Sequence, residues 1–448
     1  MTKHIYLYLL LLAFVIVGSL YAALTPDWQA PDEPAHYNYI RQLAAGNLPV
    51  LEPGDYDQEY QSLVISSQFN KQYSVESFEY QDYQPPLYYL IQTPIYLLFN
   101  DALLPLRLVS LLIGLGVITL TYFIVLILFP DRLWLALMAA AFVAFIPQHT
   151  AMLAAVNNDS LAELLIAAIL LVTISLLLSG RETSWERQRR RLIILGILLG
   201  LGFLTKVSVY IMAPLTTVFL LWLFWGRWRA LRRSALLVFG PAIALGLLWW
   251  GRNAIVYGDW DLLGTAAHNR IVIGQPQTRE WIAELGLFNT LRAFVQTTFQ
   301  SFWGQFGWMG VVMPAWVYQA LLLFTLMTIG GLLWAAANYW TGSEKNGEIE
   351  GNGNTSWKAP ALLLLGTFLL SLLVYLTYNL TFVQHQGRYL FSALVPISIG
   401  FALGWAAIGR PFVKRWPSFA ILLPLGLALA LVMLDLLALF RFIIPSLT

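Results

Sequence analysis

Apolar runs long enough to cross a bilayer recur along nearly the whole chain, and they fix its fold class before any motif is considered. Inside hydrocarbon every backbone N–H and C=O must be satisfied by the protein itself, which leaves helices or closed barrels. Runs of about 20 apolar residues select helices. They fall near residues 5–24, 104–129, 133–151, 160–178, 192–205, 207–225, 234–250, 312–337, 359–378, 389–409 and 417–440. The expected fold is an all-α polytopic membrane protein with about eleven transmembrane helices. Of 448 residues only 11% are charged, against about 25% in a soluble chain. No cysteine is present, which excludes a disulfide framework, a thiolate metal site and a cysteine nucleophile. A net charge of +2 gives a nucleic-acid partner no electrostatic support. The first run reads as an uncleaved anchor, although Tyr21-Ala22-Ala23 resembles a cleavage site.

Loop charge predicts the orientation. Gly180–Arg191 holds five Arg and Gly226–Arg233 four, and Arg410, Lys414 and Arg415 mark a third basic loop. Such loops belong to the cytoplasm. Thr25–Leu103 holds eleven acids against Arg41 and Lys71, and belongs outside. Pro85–Asn100 is apolar but short and carries Pro94. Counting it as a span would invert the charge rule downstream, so it is expected to lie as an interfacial helix on the outer face. Leu287–Trp303 reads similarly. The organisation expected is one transmembrane domain over 1–448. It has long outer loops at 25–103 and 251–311 and a flexible inner loop at 341–356.

Candidate functional residues cluster on the outer side. In Pro31-Asp32-Glu33-Pro34-Ala35-His36, the carboxylates either cap a short helix begun by Pro34 or act as a general base or metal ligand. Asp159, in Asn157-Asn158-Asp159-Ser160, either starts the fourth span or joins Asp32 in binding a metal or dividing acid and base roles. Lys206 and Arg388 either snorkel to headgroups or hold a lipid-linked phosphate, which Arg can grip bidentately. Tyr389 adjoins Arg388. Trp303 and Trp308 belong to an aromatic belt, or stack on a sugar or prenyl chain. His36 and His149 suit hydrogen-bonded structural roles better than catalytic ones. Asp435, in the last span, has no assigned partner. No phosphate-binding glycine loop, dinucleotide fingerprint, His-Glu-x-x-His pair or Gly-x-Ser-x-Gly elbow is present.

Taken in order, these motifs resemble the GT-C membrane glycosyltransferases. They include the acidic pair after the first span, Pro85-Pro86-Leu87-Tyr88-Tyr89, Arg107-Leu108-Val109-Ser110 and Asn157-Asn158-Asp159. The chain is most similar to the group of protein O-mannosyltransferases, aminoarabinose transferases and lipid-A-core galacturonosyltransferases. Thr205-Lys206, Phe302-Trp303-Gly304, Phe306-Gly307-Trp308 and Gln386-Gly387-Arg388-Tyr389 bring it closer still to a bacterial family of predicted membrane proteins within that superfamily. The aminoarabinose pattern carries Arg shortly after Asp-Glu, where this chain has Ala35-His36.

The resemblance implies a polyprenyl-phosphate-linked sugar as donor. Transfer to an acceptor hydroxyl would occur on the outer face of a bacterial cytoplasmic membrane, among membrane lipids. Asp32 matches the acidic position that serves as base or metal contact, and Asp159 matches the second-loop acid. Glu33 stands beside the base as a further catalytic candidate. His36, Lys206, Arg388, Tyr389, Trp303 and Trp308 are then substrate-binding candidates, and Asp32 with Asp159 the candidate ligands of a divalent metal, Mg or Mn. Two other classes compete: a transporter or lipid flippase, and a non-catalytic scaffold of the same fold. A transporter should place charges near the midplane in paired halves, whereas these acids gather in loops.

Overall fold

The computed structural model describes residues 4–179, 184–340 and 357–448. Arg181, Glu182 and the loop 341–356 lie outside the described residues. The helices in chain order are α1 (Ile5–Leu24), α2 (Glu33–Ala44), α3 (Gln58–Ser66), α4 (Leu87–Leu98), α5 (Leu103–Leu128), α6 (Leu133–Ala144), α7 (Pro147–Leu153), α8 (Asp159–Ser179) and α9 (Trp185–Phe203). A 3₁₀ turn, Val207–Ile211, leads into α10 (Met212–Phe224). There follow α11 (Trp228–Val256), α12 (Thr265–Ile271), α13 (Thr278–Leu285) and α14 (Leu287–Trp303), then a hairpin of β1 (Gln305–Phe306) and β2 (Val311–Val312). Next come α15 (Ala315–Trp340), α16 (Lys358–Asn379), a 3₁₀ turn Gly387–Ala393, α17 (Leu394–Arg415), α18 (Phe419–Leu437), a π turn Ala438–Ile443 and α19 (Ile444–Leu447).

Among the described residues nine helical stretches are long and apolar enough to cross a membrane. The pair α6 and α7, bent by 67°, makes a tenth if it counts as one crossing. The expected eleven are reached only through α9. Glu186 and four Arg occupy its first seven residues, so its apolar part, Leu192–Phe203, is about 18 Å long. The bend between α6 and α7 sits at Ile146-Pro147, where proline ends one helix and opens the next. The 12 residues of α4 likewise span about 18 Å, too short for a hydrocarbon layer of about 30 Å. It buries Tyr88, Tyr89 and Gln92 on one face and exposes Leu90, Leu97 and Leu98 on the other. The segment α14 behaves differently towards its end: its first half exposes Leu287, Phe288, Leu291 and Val295, but Trp303 enters the core.

The core is centred on α6, whose residues from Leu135 to Ala144 are buried apart from Leu137. Its run of small side chains, Ala139-Ala140-Ala141, lets neighbouring backbones approach closely, the usual basis of helix packing in a bilayer. The same logic operates where α15 crosses α17. A Cβ at Gly331 or Gly404 would run into the backbone carbonyl of the facing helix.

One ion pair fixes the end of the bundle from which α2 emerges. Glu33, fully buried, receives Arg107 Nε and Nη2 at 2.8 and 2.6 Å. The remaining guanidinium hydrogens go to the carbonyls of Ala22, Thr25 and Pro26 at 2.9, 2.8 and 3.2 Å. Val156 N–H adds a third bond to Glu33, at 3.1 Å. All five guanidinium donors are therefore used. They join the C-terminal end of α1, the start of α2, the first turn of α5 and the link between α7 and α8. Removing one partner of a buried pair strands the other charge, at a cost of about 3–5 kcal/mol. Arg107→Met should therefore lower the thermal midpoint of the detergent-purified protein well below that of the double variant Glu33→Gln/Arg107→Met. Equal midpoints for the two would show that the stranded carboxylate is not the source of the loss.

Candidate active site

Asp32 occupies the N-cap position of α2 with left-handed backbone, φ 68°. That conformation costs a non-glycine residue of order 1 kcal/mol or more and marks a constrained position. Its side chain does not cap the helix. Oδ2 accepts from Arg388 Nη2 at 2.7 Å and Oδ1 from Tyr80 Oη at 3.0 Å. The carboxylate remains a quarter exposed. Burial raises its pKa, but the charge and hydrogen bond of Arg388, aided by Tyr80, outweigh burial and hold it below the ordinary carboxylate range.

Arg388 is placed by packing rather than by a regular helix. Its 3₁₀ turn begins at Gly387, whose N–H donates to Ser301 Oγ of α14 at 2.7 Å. A Cβ at Gly387 would run into the Thr298 carbonyl and stand 2.6 Å from Phe302 N. Only glycine lets this turn lie against α14. Arg388 then donates Nε to Gln386 Oε1 at 2.7 Å and sits 5.5 Å over the Tyr389 ring.

A second pair lies beside the first. Asp159 opens α8, with its own N–H capped by Asn157 Oδ1 at 2.8 Å, and its Oδ1 accepts from Lys206 Nζ at 2.5 Å. Lys206 extends from the break between α9 and the following 3₁₀ turn, in β conformation. Both pairs remain partly open to solvent.

His36 sits between the pairs. It is buried, stacks on Tyr89 and bonds through Nδ1 to Tyr89 Oη at 2.8 Å. Asn158 Nδ2 donates to the same phenol oxygen at 3.3 Å. The phenol hydrogen is thus available to Nδ1, and the network assigns the imidazole proton to Nε2. Burial first pushes His36 down to about 3, and the charges of Asp32, Lys206, Asp159 and Arg388 all reach it. At neutral pH it is an uncharged spacer between two ion pairs.

Asp32, His36, Asp159, Lys206 and Arg388 are thereby brought together, with Tyr389 against Arg388. Glu33 is not open to substrate: it is fully buried in the Arg107 pair. Its sequence expectation as a catalytic group gives way to a structural role, because its side chain leaves α2 towards α5 while that of Asp32 turns to Arg388. Trp303 is also withdrawn from the site. It is 3% exposed and packs edge-on against Phe142, Phe302 and Phe324. Trp308 donates Nε1–H to the Trp28 carbonyl at 2.9 Å and lies against Phe69, so it anchors the loop that carries Asp32. His149 bridges the Val143 carbonyl and Glu163, each at 2.6 Å, inside the bundle. Asp435 accepts from Thr150 Oγ1 at 3.0 Å, and its other oxygen has no hydrogen-bond partner among the described residues. Tyr80 was not singled out by the sequence, since a tyrosine in a polar loop carries no periodic signal; Tyr89 entered only as part of the Pro85–Tyr89 motif, with no role assigned to it.

The site fits a divalent metal poorly. Among the described residues no three His, Asp or Glu side chains converge as ligands. Both oxygens of Asp32 are engaged by donors, and Asp159 is engaged by Lys206.

Comparison with known structures identifies the fold. ArnT from Cupriavidus metallidurans, bound to undecaprenyl phosphate, superposes with a TM-score of 0.53 at 14% identity, over 99% of this chain and 73% of that one. The Archaeoglobus fulgidus oligosaccharyltransferase tethered to an acceptor peptide gives 0.55 at 14% identity, over 99% of this chain and 55% of that one. The chain has the GT-C fold. The archaeal AglB from the same organism, in complex with an inhibitory peptide and a dolichol-phosphate, gives 0.54 at 13% identity, over 100% and 56% of the two chains. Residues 83–250 match the family described as dolichyl-phosphate-mannose-protein mannosyltransferase. That stretch holds Asp159 and Lys206 but neither Asp32 nor Arg388. A search of curated protein sequences finds no match.

The depressed pKa of His36 has a consequence for stability. The unfolded chain binds a proton near pH 6.5 that the folded chain refuses until about 3, so stability rises with pH across this window and is lost on acidification through it. At pH 4.5 the loss should be about 2–3 kcal/mol. His36→Gln should flatten the fall in thermal midpoint between pH 6.5 and 4.5. An unchanged slope would mean that His36 is not the group responsible.

Proposed function

We propose that this protein is an integral membrane glycosyltransferase that moves a sugar from a polyprenyl-phosphate donor to an acceptor hydroxyl. The observation that carries the reading is a partly open carboxylate, Asp32, bound to Arg388, with the Asp159–Lys206 pair next to it at one end of a GT-C bundle. The basic loops at the opposite ends of the helices support a site on the non-cytoplasmic side. A bacterial cytoplasmic membrane is the setting that the sequence resemblance favours. The whole chain is read as one GT-C-like domain.

In this reading the free enzyme keeps its base idle. Asp32 is a weak base while Arg388 holds it, because the cation stabilises the deprotonated form. The donor phosphate is an anion that competes for the same guanidinium. Once Arg388 and Lys206 turn to the phosphate, Asp32 loses its strongest partner and its proton affinity rises. The acceptor O–H then gives its proton to Asp32. The acceptor oxygen bonds to the anomeric carbon as the bond from that carbon to the phosphate oxygen breaks. The polyprenyl phosphate leaves as an anion stabilised by Arg388 and Lys206. A single displacement inverts the anomeric centre. Asp159 positions Lys206, and Tyr389 supports Arg388 from below its guanidinium plane. No step is routed through a metal. The donor sugar is a hexose or a pentose.

Asp32→Asn should reduce label transfer from radiolabelled polyprenyl-phosphate sugars in reconstituted membranes by about 10²–10⁴-fold, while tightening undecaprenyl-phosphate binding, because the charge that competes for Arg388 is gone. Arg388→Ala and Lys206→Ala should each weaken that binding by about 1.5–3 kcal/mol. Turnover at the wild-type rate in Asp32→Asn would sink the base assignment.

A further inference from the structure

The approach to Asp32 is walled by tyrosines in an unbroken sequence of contacts. Tyr56 meets Tyr80 edge-on with ring centres 5.6 Å apart, and Tyr80 donates to Asp32 at 3.0 Å. On the other side of the carboxylate, Arg388 lies over Tyr389, which meets Tyr378 edge-on at 6.1 Å. These rings come from segments far apart in the chain: the loop before and after α3, the end of α16 and the turn before α17. Tyr378 is 39% exposed, and Tyr56 and Tyr389 are partly exposed. Tyr80 itself is buried against Val64 and Phe78 and backs the carboxylate, but helix packing does not require Tyr56, Tyr378 and Tyr389 there, because those three rings are not sealed in the core.

The chemistry of the wall restricts what it can receive. A tyrosine offers an apolar ring face and a hydroxyl that both donates and accepts. Burial first, then the charge of Asp32, pushes Tyr56 up to about 12 and raises Tyr80 as well, so both keep their hydrogens as donors. Charge on this side is adverse to anions. Glu52, Asp57 and Glu59 stand exposed next to Tyr56 in sequence. The nearby arginines are engaged: Arg41 pairs with Glu76 and Glu79, and Arg252 bonds the Pro49 carbonyl and covers the Trp249 ring. An extended peptide would favour an open strand edge. Among the described residues the only sheet is the two-residue hairpin of β1 and β2, with β1 buried.

We propose that the wall formed by Tyr56, Tyr378 and Tyr389, with Tyr80 holding Asp32 behind it, is the acceptor subsite and that it takes an uncharged saccharide, presenting one of its hydroxyls to Asp32. The C–H face of a pyranose packs on the rings, and its hydroxyls exchange hydrogen bonds with the phenols. This rests on the reading of Asp32 as the base. The saccharide is either the end of a free glycan or the headgroup of a glycolipid.

The test is saturation-transfer NMR on the full chain in nanodiscs, loaded with undecaprenyl phosphate. The probes are neutral trisaccharides (maltotriose, mannotriose, chitotriose), a trigalacturonate and a Ser/Thr-containing peptide. At least one neutral trisaccharide should show transfer to its ring C–H protons. The signal should fall at least fivefold in Tyr378→Ala and Tyr56→Ala, persist within about twofold in Tyr378→Phe, and be at least fivefold weaker for trigalacturonate. The same trisaccharide on an alkyl chain separates the sources: transfer to both forms marks a free glycan end, and transfer to the alkyl form alone marks a glycolipid headgroup. Absence of transfer to every neutral saccharide overturns the proposal. So does a signal unmoved by both alanine variants, or saturable binding of the peptide in place of the sugars. Undecaprenyl-phosphate binding, measured by thermal shift, separates this result from the broader reading. It should depend on Arg388 and Lys206 and not on Tyr56 or Tyr378. Its absence beside intact saccharide transfer would remove the glycosyltransferase reading and leave the saccharide site standing.

Discussion

The guanidinium of Arg107 is the interaction on which the rest of this structure depends. A charged group in the first turn of an apolar helix is tolerable only if its donors are satisfied and its charge is matched. Glu33 supplies the charge and two acceptors, and the backbone leaving α1 supplies the other three. Those carbonyls belong to a segment that no longer has intrahelical donors to offer them. The pair therefore solves two problems together: it ends α1 and launches α2 at a fixed angle. That launch angle decides where Asp32 points. With Glu33 drawn inward to α5, the neighbouring side chain is turned out towards Arg388. Adjacent carboxylates thus separate into one sealed structural group and one partly exposed group.

The site built on this frame is electrically quiet. Two carboxylate–cation pairs, Asp32–Arg388 and Asp159–Lys206, flank a histidine kept neutral by burial. Formal charges cancel within the cluster, so no net charge has to be held at the membrane edge in the absence of ligand. An anionic phosphate can enter only by exchange with a carboxylate for its cation. In the proposed reaction that exchange couples donor binding to the appearance of the base. It also explains why a cation pair serves here better than a single lysine: one pair releases Asp32, while the other, still partly solvated, adjusts to the phosphate's position.

Several sequence expectations follow from local chemistry and are legible without the fold. Helix α2 begins at Glu33 with Pro34 in its first turn and ends before Gly46, because proline suits a first turn and glycine a left-handed end. The short segment α4 does not span because its length is insufficient, whatever surrounds it. The apolar part of α9 is short because the arginines are in the chain. The expectations that failed were those about which way a side chain points. Trp303 and Trp308 share a motif, yet one is sealed among Phe142 and Phe324 while the other anchors the Asp32 loop. Gly307, in left-handed backbone, turns the chain between them. Tyr80 and Tyr56 carried no signal because their importance comes from a loop folding back over α2, held by Asn38 Nδ2 on the carbonyls of Val75 and Phe78.

The sequence by itself therefore determined the fold class, the approximate number of crossings and the residues at which charge could do chemistry. Bilayer thickness, backbone satisfaction and the scarcity of charge act on a chain one segment at a time, so a one-dimensional reading captures them. Only the tertiary structure decided which carboxylate stays open to solvent, which cation it is bound to and what lies around it. Asp32 and Arg388 stand 356 residues apart in the chain. Their meeting depends on the absence of a Cβ at Gly387 and on the buried partner chosen by Glu33. Each of these is a packing condition between segments, and no single stretch of sequence contains it.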